Sequence, residues 1–163
     1  MSKSVVLIDT NILCCLFQIP GKATCHKYSL HEIQTKLKTY EDQNATFIIP
    51  FPVIIEVGNH IANTANAFEN AKKFVDVIEK IKSGITPYAI FSDQKILWDE
   101  RTLSAIMSDW PKLSNQLSLC DFLIKFLADY YQKGNWQVNI FTSDEGLKSF
   151  EPSPILIPRR RQK

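Results

Sequence analysis

The chain has 163 residues, of which 45% are hydrophobic and 22% are charged. A chain of this size buries about two thirds of the surface that its unfolded form exposes. We therefore predict one globular domain that folds without a disulfide or a structural metal. Its apolar runs are far shorter than the roughly 20 residues that a membrane-spanning helix requires, which excludes a transmembrane segment.

Charge is distributed unevenly along the chain. The formal net charge is +2, but four of the 19 Lys and Arg residues lie in the last five positions, so residues 1–158 hold 15 basic against 17 acidic residues and are slightly acidic. We therefore predict a single domain over residues 1–158 and a basic tail over 159–163. A terminal run of arginines is most often a solvated end, and contact with phosphate is the alternative.

The cysteines predict neither a disulfide framework nor a metal site. Cys14, Cys15, Cys25 and Cys120 form no CxxC pair, and no secretory leader is recognisable. These features predict a reduced, cytoplasmic protein. Cys14 and Cys120 are expected to be small buried hydrophobic residues.

The predicted elements alternate between strands and helices. A buried strand covers 4–8, and a short helix follows over 13–17. An amphipathic helix is predicted over 27–40, because its apolar residues recur at helical spacing. A second apolar strand covers 46–49.

Two long helices are predicted after the second strand. The first begins at the prolines of 50–52 and continues to Ile61, since proline is tolerated in the first turn of a helix. The second covers 65–82, and Gly84 lies just past its end. Its inward-facing residues are predicted to be Phe68, Phe74, Val75, Ile78 and Ile81.

The second half of the chain continues the alternation. A third strand is predicted over 88–91, followed by a helix over 93–109 and a loop over 111–117. A strongly apolar helix then runs from Ser118 to Gly134. The last predicted elements are a fourth strand over 138–141, a short helix over 145–150 and an extended segment over 155–157.

This pattern predicts the fold class. Strands that are apolar throughout and separated by helices are typical of a parallel sheet covered on both faces. We therefore predict an α/β fold, in the form of a three-layer α/β/α sandwich with a central parallel sheet. In such folds the functional crevice lies outside the carboxyl ends of the strands.

Four acidic residues are predicted to meet at that edge of the sheet. Asp9 follows the first strand, and Asp144 follows the fourth. Glu56 lies about one turn into the helix after the second strand. Asp121 lies in the first turn of the helix that begins at Ser118.

Helix capping is the simpler interpretation of each acid taken alone. Asp is favoured at helix N-termini, and Ser118 with Asp121 resembles a capping box. Capping does not explain why Glu56 lies within VIIEV and Asp121 within LCDFLI, where an unpaired charge is costly. Clustered carboxylates without basic partners call for a hard cation such as Mg²⁺ or Mn²⁺. The chemistry expected at such a site is metal-assisted phosphodiester hydrolysis.

Several segments together resemble a known family. DTNIL after the first strand, Glu56 followed by its helix, SLCDFLIKFLA and IFTSDEGLKSF resemble the PIN-domain nucleases, in the same order and over nearly the whole chain. The resemblance implies a metal-dependent ribonuclease of the VapC toxin type, with Mg²⁺ or Mn²⁺ as the cofactor. It also implies an RNA substrate, with an antitoxin protein and a second copy of the chain as candidate partners.

The resemblance assigns roles to individual residues. The catalytic and metal-binding acids would be Asp9, Glu56, Asp121 and Asp144. The residues that hold these carboxylates and water by hydrogen bonds would be Asn11, Thr142 and Ser143. Glu69 and Glu79 are alternatives to Glu56, whose position after the proline run favours it.

Two other functions compete with this interpretation. The first is a catalytically inactive PIN fold that acts as an RNA-binding or protein-interaction module, although such a module has no physical reason to retain four mutually repelling acids. The second is a haloacid-dehalogenase-like phosphatase, which needs an Asp where this chain has Asn11.

Weaker signals concern the surroundings of the acids. Lys125 follows Asp121 by four residues on the same helix, so an ion pair between them is expected. Trp98 and Trp110 lie among apolar residues and are expected in the core or at an interface rather than stacked on RNA bases. Cys25 and its neighbouring histidines lack the spacing of zinc ligands.

Overall fold

A computed structural model of the protein describes residues 3–23, 25–82 and 91–154, with the backbone alone at 91–94. The strand predicted over 88–91 lies outside these residues except at position 91. The predicted extended segment 155–157 and the tail 159–163 lie outside them entirely. The described elements are β1 (Ser4–Ile8), α1 (Thr10–Leu16), α2 (Leu30–Asp42), β2 (Thr46–Ile48), α3 (Phe51–Ala62), α4 (Ala67–Lys82), a 3₁₀ helix (Phe91–Trp98), α5 (Glu100–Asp109), a second 3₁₀ helix (Trp110–Lys112), α6 (Leu119–Lys133), β3 (Gln137–Phe141) and α7 (Glu145–Lys148).

The three described strands form one parallel sheet in the order β2-β1-β3. The central strand, β1, is buried from Val5 to Ile8, which explains why SVVLI shows no polar alternation. Ile8 lies opposite Phe141 in the register of β1 and β3. The two strands therefore end side by side, and the residues that follow them meet. The chain is thus an α/β protein, as the sequence predicts.

The helices that carry the acids are fixed by a shared apolar core. Helix α6 packs against β3 and β1, and α3 packs against α1, α4 and α6. Ile12, Val57 and Ile124 are fully buried representatives of α1, α3 and α6. Burying such a side chain contributes about 1.5–3 kcal/mol relative to leaving it exposed. The positions of these helices at the end of β1 are therefore set by packing.

Two of the residues predicted to face inward from α4 lie on its outer surface. Phe74 and Ile81 are buried, but Phe68 is 77% exposed and Val75 is 54% exposed. At about 100° per residue, Phe74, Ile78 and Ile81 form one narrow stripe, and the other two residues lie about 100–120° away from it. The prediction was wrong for Phe68 and Val75 because α4 is a peripheral helix with a narrow buried face.

The helix predicted over 93–109 is interrupted at Asp99. A 3₁₀ helix ends at Trp98, and α5 begins immediately after Asp99, whose carboxylate accepts hydrogen bonds of 3.1 Å from the backbone N–H groups of Arg101 and Thr102. Capping of this kind starts a new helix. Asp99 therefore acts as an N-cap residue rather than as a residue inside one long helix.

Two further observations concern the whole of the described chain. No helix within it is long and apolar enough to cross a membrane. Cys14, Cys15, Cys25 and Cys120 are free thiols, in agreement with the absence of a disulfide framework in the sequence.

Candidate functional site

Asp9 is the central residue of the acidic cluster at the end of β1. It is the N-cap residue of α1 and only 4% exposed. Its Oδ1 accepts a hydrogen bond of 2.6 Å from the backbone N–H of Thr10. Its Oδ2 accepts hydrogen bonds of 2.6 Å from both Asn11 Nδ2 and Thr142 Oγ1. Every described donor to this buried carboxylate is therefore uncharged.

Further hydrogen bonds join the start of α1 to the turn after β3. Thr142 Oγ1 accepts a bond of 2.9 Å from the backbone N–H of Asp144, and Asn11 Oδ1 accepts a bond of 3.1 Å from the backbone N–H of Ser143. Asn11 and Thr142 thus contact Asp9 through their side chains, whereas Ser143 contributes its backbone. We call this network of Asp9, Asn11 and Thr142 the strand-end network.

Glu56 approaches Asp9 from α3. Its Oε2 accepts a hydrogen bond of 2.7 Å from Thr10 Oγ1, and it is one of the acids that raise the pKa of the Cys120 thiol on α6, after burial. The alternative acids, Glu69 and Glu79, lie exposed on α4, and Glu79 pairs with Lys82. Of the three glutamates, Glu56 is the one linked to Asp9 through a shared neighbour.

Asp121 and Asp144 each cap their own helix. Asp121 Oδ2 accepts hydrogen bonds from the backbone N–H of Ser118, at 3.3 Å, and from its hydroxyl, at 2.7 Å. Asp144 Oδ1 accepts from the backbone N–H groups of Gly146 and Leu147, at 2.6 and 3.2 Å. Among the described residues, none donates to Asp121 Oδ1 or to Asp144 Oδ2. Capping therefore orients one oxygen of each carboxylate and leaves the other available.

Electrostatic interactions link the four acids. Burial raises the pKa of Asp9 to about 7. The hydrogen bond from Thr142 opposes this rise, and the charges of Asp121 and Glu56 add to it. Burial also raises the pKa of Asp121, against the hydrogen bonds from Ser118 and together with the charges of Asp144 and Glu56. The carboxylates are thus close enough to destabilise one another when ionised.

No cation offsets this repulsion in the described part of the chain. None of the ion pairs found there includes Asp9, Glu56, Asp121 or Asp144. The ion pair expected between Lys125 and Asp121 is wrong, since Lys125 Nζ lies 2.6 Å from Asp129 Oδ2. The competing partner is also four residues from Lys125, and Asp121 is engaged by Ser118. No Lys or Arg among the described residues therefore forms an ion pair with an acid of the cluster.

Two residues near the acids were not assigned a role there by the sequence. Thr10 bridges Asp9 and Glu56, as its backbone and its hydroxyl donate to one acid each. Cys120 has a raised pKa, first because of burial and then because of Glu56, Asp9 and Asp121. It was expected to be a small buried residue, but it is only partly buried. The sequence feature that could have indicated both residues is their position next to a predicted acid, since Thr10 follows Asp9 and Cys120 precedes Asp121.

The donor set determines which ligand the cluster could hold. Carboxylate and hydroxyl oxygens are hard ligands of the kind that Mg²⁺ and Mn²⁺ prefer. Within residues 3–23, 25–82 and 91–154, no group of three or more His, Cys, Asp or Glu side chains is placed so that it could hold a metal ion. The oxygen ligands of the four acids are thus of the type that a divalent cation prefers. That the four acids coordinate one cation together stays a prediction.

Comparisons of the chain with family models, with curated proteins and with solved structures found no match. The resemblance of DTNIL, SLCDFLIKFLA and IFTSDEGLKSF to the PIN-domain nucleases accordingly stays a prediction. Further inference about function depends on the hydrogen bonds, burial and charges at the end of β1.

Proposed function

We propose that the protein is a Mg²⁺- or Mn²⁺-dependent endoribonuclease of the PIN-domain type. Asp9, Glu56, Asp121 and Asp144 would hold the metal at the carboxyl end of the sheet. The observation that supports this proposal most is the buried Asp9, which has no cationic partner among the described residues and lies near two further acids. Burying a carboxylate under such repulsion is costly unless a cation compensates it.

The cation would supply Lewis-acid stabilisation of the charge that develops on a phosphate during hydrolysis. The residues of the chain prepare the ligands. Asn11 and Thr142 hold Asp9 in one orientation, and Thr10 does the same for Glu56. The helix caps fix one oxygen of Asp121 and one oxygen of Asp144 by hydrogen bonds, and the second oxygen of each carboxylate has no donor among the described residues. Orientation of this kind by neighbouring hydrogen bonds is typical of metal ligands in proteins.

The proposal extends to finer features of the protein. We propose that the α/β fold is a three-layer α/β/α sandwich, since helices pack on a parallel sheet whose central strand is buried from Val5 to Ile8. We further propose a cytoplasmic location, an RNA substrate and membership of a toxin–antitoxin pair. The free thiols support the first of these, and the resemblance to PIN-domain nucleases supports the other two.

A second candidate function is a non-catalytic RNA-binding or protein-interaction module. The observation that favours it is that Asp121 and Asp144 both have a structural role as helix caps. If capping alone explained these acids, their ability to bind a cation would be incidental.

Cleavage of end-labelled single-stranded RNA distinguishes the two functions. We expect the wild type to cleave this RNA in the presence of Mg²⁺ or Mn²⁺ and to lose the activity in EDTA. Asp144→Asn should lose cleavage, although Asn caps a helix nearly as well as Asp. The matched control is Asp99→Asn, which changes the N-cap residue of α5 outside the cluster and should retain activity.

Two results would contradict the nuclease. One is cleavage that persists in EDTA. The other is equal activity of Asp144→Asn and Asp99→Asn. Binding of RNA without cleavage in either metal would favour the non-catalytic module.

A further inference from the structure

An apolar groove opens directly beside the acidic cluster. It has a volume of about 330 Å³ and lies between α3, α6 and the end of the first 3₁₀ helix. Its walls include Ile55, Glu56, Asn59, Trp98, Leu119 and Leu123. This volume falls at the lower end of the range of about 300–1,000 Å³ that is typical of small-ligand sites. We call it the Trp98 groove.

Trp98 exposes an aromatic surface in this groove. Its side chain is 53% exposed, so of the two positions expected for this residue the core is wrong, and an interface stays a prediction. Phe51 contacts its ring edge-on, with 5.8 Å between ring centroids and an interplanar angle of 87°. Ile55, on the same wall as Glu56, is 49% exposed. A neighbouring ring thus supports the indole while half of its surface remains open to a ligand.

The groove is continuous with the acidic cluster. Glu56 lines it and also accepts the hydrogen bond from Thr10, the residue that follows Asp9. Cys120, which precedes Asp121 in the chain, likewise lines the groove. A molecule with one group at the acids therefore has its adjoining group in or near the groove.

The lining also indicates the chemistry of the occupant. No Lys or Arg is found among the described residues that line the groove, and the charged residue there is the acidic Glu56. An anionic group is therefore disfavoured inside it. The Asn59 amide has no hydrogen-bond partner among the described residues, and it offers both a donor and an acceptor. A flat, uncharged group with polar atoms along its edge fits these features.

We propose that the Trp98 groove binds one unpaired base of a single-stranded RNA, stacked on the Trp98 indole with its edge towards the Asn59 amide. The inference rests on the proposed function, because the adjoining phosphate would then lie at the acidic cluster. Stacking on an aromatic side chain is a sequence-tolerant way to bind single strands. Paired bases are not available for it, so the groove selects unpaired RNA.

Direct binding tests the groove independently of cleavage. The full chain carrying Asp144→Asn is titrated, in Mn²⁺, into a short fluorescein-labelled oligouridylate, and anisotropy is recorded. Adding Trp98→Ala should weaken binding about tenfold or more, and Trp98→Phe should retain most of the affinity. The matched control is Phe68→Ala, an exposed aromatic residue of α4 that does not line the groove. Its affinity should be unchanged.

A second variant guards against misfolding. Asn59→Ala removes the amide without altering the aromatic surface, and it should lower the affinity severalfold while leaving the melting temperature unchanged. A duplex of the same length should bind more weakly than the single strand. Equal binding of duplex and single strand, or equal affinities of Trp98→Ala and Phe68→Ala, would overturn the proposal.

The outcomes separate the groove from the nuclease. If the wild type cleaves RNA and Trp98→Ala changes neither binding nor cleavage, the proposed base site is wrong and the proposed nuclease function is retained. If Trp98→Ala abolishes binding and the wild type cleaves nothing, the base site stands and the nuclease is wrong. A wild-type dimer that Trp98→Ala converts to a monomer, measured by light scattering, would assign the groove to a second copy and overturn the base site.

Discussion

Thr142 donates a hydrogen bond of 2.6 Å to the carboxylate of Asp9, although the two residues are 133 positions apart in the chain. The contact exists because Ile8 and Phe141 are paired in the register of β1 and β3, so that the next residue of each strand lies at the same edge. Thr142 is 2% exposed and Asp9 is 4% exposed. A buried acid is thus held by a buried neutral donor, and several expectations follow from this pair.

Replacing Thr142 by Val should destabilise the protein. The substitution keeps the shape of the side chain but removes the donor to Asp9 and the acceptor for the backbone N–H of Asp144. Leaving buried polar groups unpaired costs about 1–3 kcal/mol. Urea unfolding of Thr142→Val measures the loss. Thr142→Ser, which keeps the hydroxyl, is the control, and equal stability of the two variants would contradict the role of the hydrogen bond.

The stability of the metal-free protein should depend on pH through Asp9. The pKa of Asp9 is about 7 in the folded chain and 3.8 for an ordinary aspartate, so between these values the folded state holds a proton that the unfolded state releases. The contribution of Asp9 to stability is therefore largest below about pH 4 and falls by about 4 kcal/mol as the pH rises to about 7. Denaturant unfolding in EDTA at several pH values measures this slope.

Asp9→Asn should flatten the same pH profile, because the amide does not titrate. The control is Asp99→Asn, since hydrogen bonds from Thr102 lower the pKa of Asp99 and its titration falls below this window. Asp99→Asn should therefore leave the slope from about pH 5 to 7 unchanged. A wild-type slope that survives Asp9→Asn would show that another group is responsible.

Divalent cations should raise the melting temperature of the wild type. A ligand present at ten times its dissociation constant stabilises the folded state by about 1.4 kcal/mol, which corresponds to about 3–6 °C for a domain of this size. Asp121→Asn should lose this shift, and Asp99→Asn should keep it. Calorimetry with Mg²⁺, Mn²⁺ and a matched potassium salt makes the comparison. Equal shifts in both variants would indicate nonspecific binding.

The two faces of α4 should respond differently to truncation. Phe74 is 6% exposed and contacts Phe17 edge-on at 5.3 Å, whereas Phe68 is 77% exposed. We expect Phe74→Ala to cost about 3–5 kcal/mol and Phe68→Ala to change stability by less than about 0.5 kcal/mol. Chemical denaturation of both variants tests the orientation of the helix. Comparable losses would contradict it.

The sequence predicted the elements whose signals are local. The β-branched run of β1 and the proline-led start of α3 both appear in the structure at the expected places. The acids at the strand ends were found by the same reasoning, since parallel strands that end together bring distant residues to one edge. These features depend on periodicity and on the rules of sheet topology, which a single sequence carries.

Features that depend on competing neighbours were not predictable in this way. Lys125 has an acid four residues away in either direction, and the engagement of Asp121 by Ser118 leaves Asp129 as its partner. Trp98 lies in an apolar stretch, yet the new helix that starts after Asp99 leaves its ring at the surface. The hydrogen bond between Thr10 and Glu56 requires the packing of α1 on α3, which local patterns do not reveal.

The order β2-β1-β3 has a consequence for biosynthesis. The central strand, β1, is translated well before residues 137–141, which supply one of its two neighbours. A copy whose translation stops before this segment therefore exposes the unpaired edge of an apolar strand, which invites aggregation. It also lacks Thr142 as a donor to Asp9. Incomplete copies should thus be both inert as the proposed enzyme and readily recognised by proteases, so that activity is confined to chains translated past this point.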